Sequence, residues 1–209
     1  TPALDQLASQ GMRFTDAHTS SSVCTPTRYG ILTGRYNWRS RLKRGVLVAA
    51  SSAALMDPNR LNLPDFLQAS GYHTGCVGKW HLGADWVKLP ADSKSRRKGQ
   101  FESWNVDYGK PFRNGPLDVG FDEAFFILSS LDMPPYLYLR NDRAEKSPDV
   151  ERGFPHNEYN DYQRIGAAAA DFDASACLAD WAAESRRFIK RRAETSKPFF
   201  LYLPLTSPH

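Results

Sequence analysis

Cys24 and Arg28 stand four residues apart in the stretch Ser20-Ser21-Ser22-Val23-Cys24-Thr25-Pro26-Thr27-Arg28, which Gly34 closes. A serine-rich loop here delivers a cysteine to a helix start, with proline in the first turn. That places the cysteine where unpaired backbone N–H groups and the positive end of a helix favour an anion. Arg28 lies one turn on and shares its face, and a cysteine so placed is a reactive one. Lys79 and His81 form a second pair. On an extended chain their two-residue spacing turns both to one side and Trp80 to the other. Ser129-Ser130 and the terminal His209, each following an apolar run, complete the candidates. A reactive cysteine at a helix start with cations near it suits an anionic ligand. Taken singly, each has a plainer reading: a buried cysteine, a strand-end lysine, a histidine satisfied in a turn, a serine pair capping a turn.

The charge pattern agrees with an anionic ligand. Between Asp16 and Asp57 there is no carboxylate, whereas Arg28, Arg35, Arg39, Arg41, Lys43 and Arg44 supply six cations. Against a net charge of +4, that leaves −2 for the remainder. A local cationic field attracts anions, although a basic surface loop carries the same pattern. A further cationic run lies at 94–98, and it and 35–44 suit a polyanion or plain solvated surface. Nucleic acid is the weaker candidate, because the aromatics are not read as interleaving with the cations in a stacking platform. At 209 residues, 41% apolar and 12% aromatic, the chain is too hydrophobic for a disordered tail and long enough for one domain or most of one. No apolar run approaches the roughly 20 residues of a membrane span. Three cysteines make no disulfide framework, and Cys76 and Cys177 read as small buried residues.

Three helix–turn–strand units would position these residues. Thr1-Pro2 opens a helix with Leu4, Leu7 and Ala8 on one face, Gly11 closes it, and 12–17 follows as a strand. Asn62 and Pro64 open a second helix carrying Leu63, Phe66 and Leu67, Gly71 ends it, and 72–77 is the next strand. Asp173 caps a third, whose Leu178, Trp181, Ala182, Ser185, Phe188 and Ile189 form one stripe. Pro198 stops it, and 199–203 reads as a strand buried on both faces. The expected fold is α/β with a mostly parallel sheet flanked by helices, and ligands at the carboxyl ends of the strands. Residues 84–120 and 140–162 read as a long loop and a polar excursion. The opening Thr1-Pro2 and the close on Ser207-Pro208-His209 read as an internal stretch of a longer protein, so the lack of a signal peptide says nothing about compartment.

The full pattern Cys24-Thr25-Pro26-Thr27-Arg28 with Leu32-Thr33-Gly34-Arg35 resembles the signature of the type I sulfatases, members of the alkaline phosphatase superfamily. Gly78-Lys79-Trp80-His81-Leu82-Gly83 resembles the same family's second block without a mismatch. Thr1-Pro2-Ala3-Leu4-Asp5-Gln6-Leu7-Ala8 resembles its first helix. Leu203 to His209 resembles the turn that carries a family histidine, and Gly120-Phe121-Asp122 leading to Ser129-Ser130 resembles a stretch bearing a substrate-contacting serine, with Ser130 favoured by spacing. The resemblance runs over the whole chain, read as 1–209 of a single catalytic domain.

The resemblance implies a sulfuric ester hydrolase in which Cys24 is oxidised to formylglycine by a maturation enzyme. Its hydrate attacks sulfur, a sulfated enzyme forms, and the second hydroxyl expels sulfate. On this scheme Arg28 holds the diol, Lys79 bridges it to a sulfate oxygen, His81 takes its proton, His209 protonates the leaving alcohol, and Ser130 contacts substrate. A Ca²⁺ ion would bind position 24, as formylglycine, together with family Asp and Asn ligands that lie outside 1–209. Asp16 and Asp132 do not sit in matching contexts and are not promoted to ligands. The chain alone is therefore expected to be inactive or nearly so. The implied partners are a sulfated small molecule or glycan, with no nucleic acid and no membrane span, in a secreted, periplasmic or lysosome-like compartment. The alternatives are a formylglycine-dependent phosphonate monoester or phosphodiester hydrolase, and a non-catalytic sulfated-glycan binder.

Overall fold

A computed structural model describes residues 1–48, 50–93, 102–154 and 163–207. Helix α1 (Pro2–Gln10) starts after Thr1 with proline in its first turn. It buries none of its residues, and Leu4 and Leu7 stand exposed. Residues 12–17, expected as a strand, form bends and no strand. A strand persists only where a neighbour satisfies its N–H and C=O groups, and no strand among the described residues pairs with this segment.

Helix α2 (Cys24–Thr33) ends on Gly34, whose φ of 65° lets its N–H reach the Gly30 carbonyl at 2.9 Å. Helix α3 (Leu63–Ala69) is capped by Asn62, whose side chain accepts from the Asp65 N–H at 3.2 Å. It leads into β1 (His73–Lys79), buried from Thr74 onward. Strand β1 is the heart of a five-stranded sheet. It pairs in parallel with β2 (Glu123–Ile127) on one side and β7 (Phe199–Tyr202) on the other. Antiparallel β3 (Leu139–Arg140) and β4 (Arg143–Ala144) extend the β2 side, so the order is β4-β3-β2-β1-β7. The sheet is mixed, with its central pairings parallel. Strand β7 is half-buried along its length rather than buried on both faces, since it has one neighbour, β1, among the described residues.

Helix α4 (Cys177–Ala193) packs with Cys177, Trp181, Glu184, Ser185 and Phe188 inward. The stripe is rotated from the expected one, and Leu178 and Ile189 are exposed. Three contacts set the rotation. Trp181 wedges against Phe125 and Tyr138, at ring-centroid distances of 5.4 and 5.3 Å. Phe188 covers Gly75, where a Cβ would lie 2.4 Å from its ring. Glu184 turns in to accept from Arg140 at 3.0 Å. Asp173 does not cap the helix; it accepts from the Ser175 N–H in the turn before it.

Two stretches read as loops are more ordered than that. Within 84–120, Trp86 packs on Tyr108 and Phe112 at 5.1 and 4.7 Å in the core, whereas 94–101 lies outside the described residues. Within 140–162, β4 and β5 (Val150–Phe154) appear, and β5 pairs antiparallel with β6 (Gln163–Ala168) as a separate two-stranded sheet. Cys76 and Cys177 are buried free thiols.

Gly78 is the tightest point of β1. It has a φ of +129°, and a Cβ there would lie 2.3 Å from the Pro204 carbonyl oxygen. Gly71, also left-handed at φ +90°, faces open space. Gly78→Ala is therefore expected to lower unfolding free energy by about 1–3 kcal/mol more than Gly71→Ala. Denaturant unfolding of both variants measures this, and equal losses would contradict it.

Candidate active site

The carboxyl ends of β1, β2 and β7 open into one cleft of about 500 Å³, the expected place for a ligand in a parallel sheet. Cys24, Arg28, Lys79, His81 and Ser130 all line it. His209 lies outside the described residues, and 205–207, which lead to it, reach the same cleft.

Helix α2 brings Cys24 in at its first residue. Val23 gives no side-chain cap, so first-turn N–H groups and the positive end of the helix are left toward the cleft. The helix is fastened to the end of β1 by two bonds. Arg28 Nη1 donates to the Lys79 carbonyl at 2.6 Å, and Thr25 Oγ1 donates to the His81 carbonyl at 2.9 Å. The loop after the helix supplies another, since the Leu47 carbonyl accepts from His81 Nε2 at 2.8 Å. Continuation of β1 against β2, through Trp80 N–H to Ile127 and His81 N–H to Leu128, holds the pair in register. Trp80 turns into the core and meets Phe121 edge-on, so Lys79 and His81 are left on the cleft side.

Lys79 is 2% exposed. Its Nζ donates to Ser130 Oγ at 2.9 Å, and Cys24 lies within its hydrogen-bonding reach. No ion pair joins Lys79 or Arg28 to a carboxylate among the described residues. Burial pushes the Lys79 ammonium below its ordinary range. Arg28 pushes the same way, against the pull of Cys24 and Asp132. Burial also drives His81 down to about 3, with the Lys79 and Arg28 charges adding to the effect. A carbonyl partner accepts only, so Nε2 carries the proton of the neutral ring. Nδ1 is then a lone pair, buried and without a hydrogen-bond partner. Behind Arg28, the Tyr202 hydroxyl bonds its guanidinium and is pushed up to about 12 by burial.

Two residues of the cleft were not anticipated. Asp132, set aside on context, lines it, and Arg164 of β6 pairs with its carboxylate. Burial alone would raise the Asp132 carboxyl, but the Ser130 hydroxyl and Arg164 hold it below the usual range. Spacing two residues beyond Ser130 was the available signal for Asp132. Arg164 had none, because its strand reads as polar excursion. Asp16 is exposed and pairs with His18.

The calcium expectation places its Asp and Asn ligands outside 1–209, and the described residues supply no set of their own. Among the described residues no three His, Cys, Asp or Glu side chains gather as a metal site. Asp132 is already neutralised by Arg164, whereas Ca²⁺ takes about six to eight oxygen ligands. No step below is routed through a cation.

The buried imidazole carries a testable sign. Its folded-state pKa lies below the ordinary 6.5, so the unfolded chain takes the proton first. Stability is undiminished by His81 above about pH 6.5 and falls as the pH drops toward 3. Nitrogen-15 NMR at pH 5 is expected to show the neutral Nε2–H form. An imidazolium at that pH would contradict the assignment.

Comparison with known proteins places this geometry. The family model for sulfatases matches residues 1–209. Human arylsulfatase G is 28% identical over 214 residues, covering 100% of this chain and 36% of that protein. An N-acetylgalactosamine-6-O-sulfatase of Bacteroides thetaiotaomicron is 33% identical over 141 residues, covering 68% of this chain and 24% of its own. A solved structure described under the metabolism of multiple glycosaminoglycans by Bacteroides thetaiotaomicron superposes with a TM-score of 0.76 at 26% identity, covering 100% of this chain and 46% of that one. The chain spans less than half the length of each. With its cationic cleft at the strand ends and a whole-length match to the family model, the chain belongs to the sulfatase family.

Proposed function

We propose that the protein hydrolyses sulfate monoesters in this cleft, with 1–209 forming part of a single catalytic domain. One observation carries the reading: Lys79 and Arg28 are held together at Cys24 with no carboxylate between them. Lys79 is buried and Arg28 half-buried, and neither is ion-paired with a carboxylate among the described residues, so the pair suits an anion. A tetrahedral sulfate offers oxygens to both while its sulfur faces position 24.

Cys24 suits conversion to formylglycine, being a free, half-buried thiol at the helix start beside both cations. When formed, that group supplies the oxygen nucleophile at sulfur. The remaining work falls to the chain's other residues. Lys79, its ammonium aimed by Ser130, binds a sulfate oxygen and offsets charge as the ester bond breaks. Arg28, tied to the Lys79 carbonyl and to Tyr202, holds position 24 from below. His81 keeps its Nδ1 lone pair free for a proton from position 24 while Nε2–H stays on Leu47. His209 is assigned to protonate the leaving alcohol, on the strength of the family turn and of 205–207 lining the cleft.

A sulfated sugar is the substrate class we favour, in line with the N-acetylgalactosamine-6-O-sulfatase among the relatives. A maturation enzyme acting on Cys24 and a secreted, periplasmic or lysosome-like compartment go with the reading. No helix among the described residues is long and apolar enough to cross a membrane.

The test uses the full-length protein made with a formylglycine-generating enzyme. Conversion lowers the intact mass by about 18 Da, as oxygen replaces hydrogen sulfide's share of the cysteine. Aryl sulfate should then be turned over, Cys24→Ala should fall to background, and Lys79→Met should lose roughly 10²–10³-fold in kcat/KM. Full turnover by an unconverted thiol, or by Lys79→Met, would overturn the proposal.

A further inference from the structure

Outside the cleft, the cationic segment after α2 carries an aromatic platform. Tyr36 and Trp38 stack face to face, with centroids 4.1 Å apart and planes 9° apart, and are 50% and 52% exposed. This corrects the sequence reading that aromatics and cations stand apart: Arg35-Tyr36-Asn37-Trp38-Arg39 alternates them. A 3-10 turn at Asn37–Arg39 folds the two rings together. It is firmly held. Buried Asn37 donates from Nδ2 to the Leu42 carbonyl at 2.9 Å, Ser40 Oγ donates to the Asn37 carbonyl at 2.6 Å, and Lys43 Nζ donates to the Trp38 carbonyl at 2.6 Å.

Arg39, Arg41, Lys43 and Arg44 are exposed around this stack, and none of them pairs with a carboxylate among the described residues. Arg41 is occupied with the Ala53 carbonyl and Lys43 with Trp38, which leaves Arg39 and Arg44 as the outward-facing charges. A rigid pair of rings kept half in water has no folding reason to stay bare. Its outer face, electron-rich, suits the C–H face of a sugar ring. The segment is continuous with the cleft, since Val46 lines it and the Leu47 carbonyl holds His81.

We propose that the Tyr36–Trp38 stack, with Arg39 and Arg44, is a binding surface for a sulfated polysaccharide, its sugar rings on the aromatic face and its sulfates on the guanidinium groups. The inference rests on the reading of the cleft as a sulfate-ester site for the choice of carbohydrate over another polyanion. A duplex nucleic acid would meet the same charges but has no use for the adjoining cleft.

Calorimetric titration of the full-length protein with chondroitin 6-sulfate tests it, beside desulfated chondroitin and a duplex DNA oligonucleotide at the same ionic strength. Trp38→Ala and the double variant Arg39→Gln/Arg44→Gln should each weaken chondroitin 6-sulfate binding roughly tenfold. Aryl sulfate kcat/KM should stay within about twofold, because neither variant touches the cleft. Unchanged polysaccharide affinity in the double variant, whose exposed residues leave the fold alone, would overturn the proposal. So would DNA binding as tight as that of the sulfated polymer, or a parallel loss of aryl sulfate turnover. Failure of the unsubstituted protein to cleave aryl sulfate would instead sink the catalytic reading, and the polysaccharide affinities would still decide this one.

Discussion

A lysine ammonium with almost no access to water, set beside an arginine and ion-paired with no carboxylate among the described residues, is an unfavourable thing to build. Desolvation of a buried cation such as Lys79 costs several kcal/mol, and repulsion from Arg28 adds to it. Lys79 and Arg28 are nevertheless fixed in that relation, and the rest of the structure is arranged to keep them there. On the proposed reading an anion entering the cleft relieves that stress.

The devices that maintain it are backbone bonds more than ion pairs. Helix α2 cannot drift from β1 while Arg28 and Thr25 hold the carbonyls of Lys79 and His81. The loop beyond the helix cannot lift while Leu47 is bonded to His81. Gly78 lets the Pro204 turn lie against the strand end, and Gly30 lets the serine-rich loop lie against α2. Beneath, the Trp181–Phe125–Tyr138 cluster and the Phe188–Gly75 contact press α4 on the sheet. A neutral His81 completes the arrangement, because a third positive charge there would make the pocket harder to hold.

Much of this was legible in the residue order, for physical reasons that also explain the misses. Local grammar identified α2, α3 and β1: Gly34 and Asn62 cap by their own chemistry, and Gly71 marks the turn between α3 and the strand. Cys24, Arg28, Lys79, His81 and Ser130 fell in one cleft because motif spacing and strand ends together constrain them. Where a neighbour decides, the reading failed. Among the described residues, 12–17 has strand composition without a partner and β7 has a neighbour on one side, and α4 turned to satisfy Glu184 and Trp181. Arg164 and the Tyr36–Trp38 stack were hidden for the same reason, since a two-stranded ladder and a 3-10 turn brought them into place.

Binding of inorganic sulfate tests the central claim most directly, because it asks about the cation pair without asking for chemistry. Titrated by calorimetry into the full-length protein, sulfate should bind one to one. It should raise the melting temperature by mass action and lose roughly tenfold or more in affinity in Lys79→Met, about the worth of one charge-assisted hydrogen bond. Equal affinity in the two proteins would mean that the buried lysine does not await an anion, and the account would fail there.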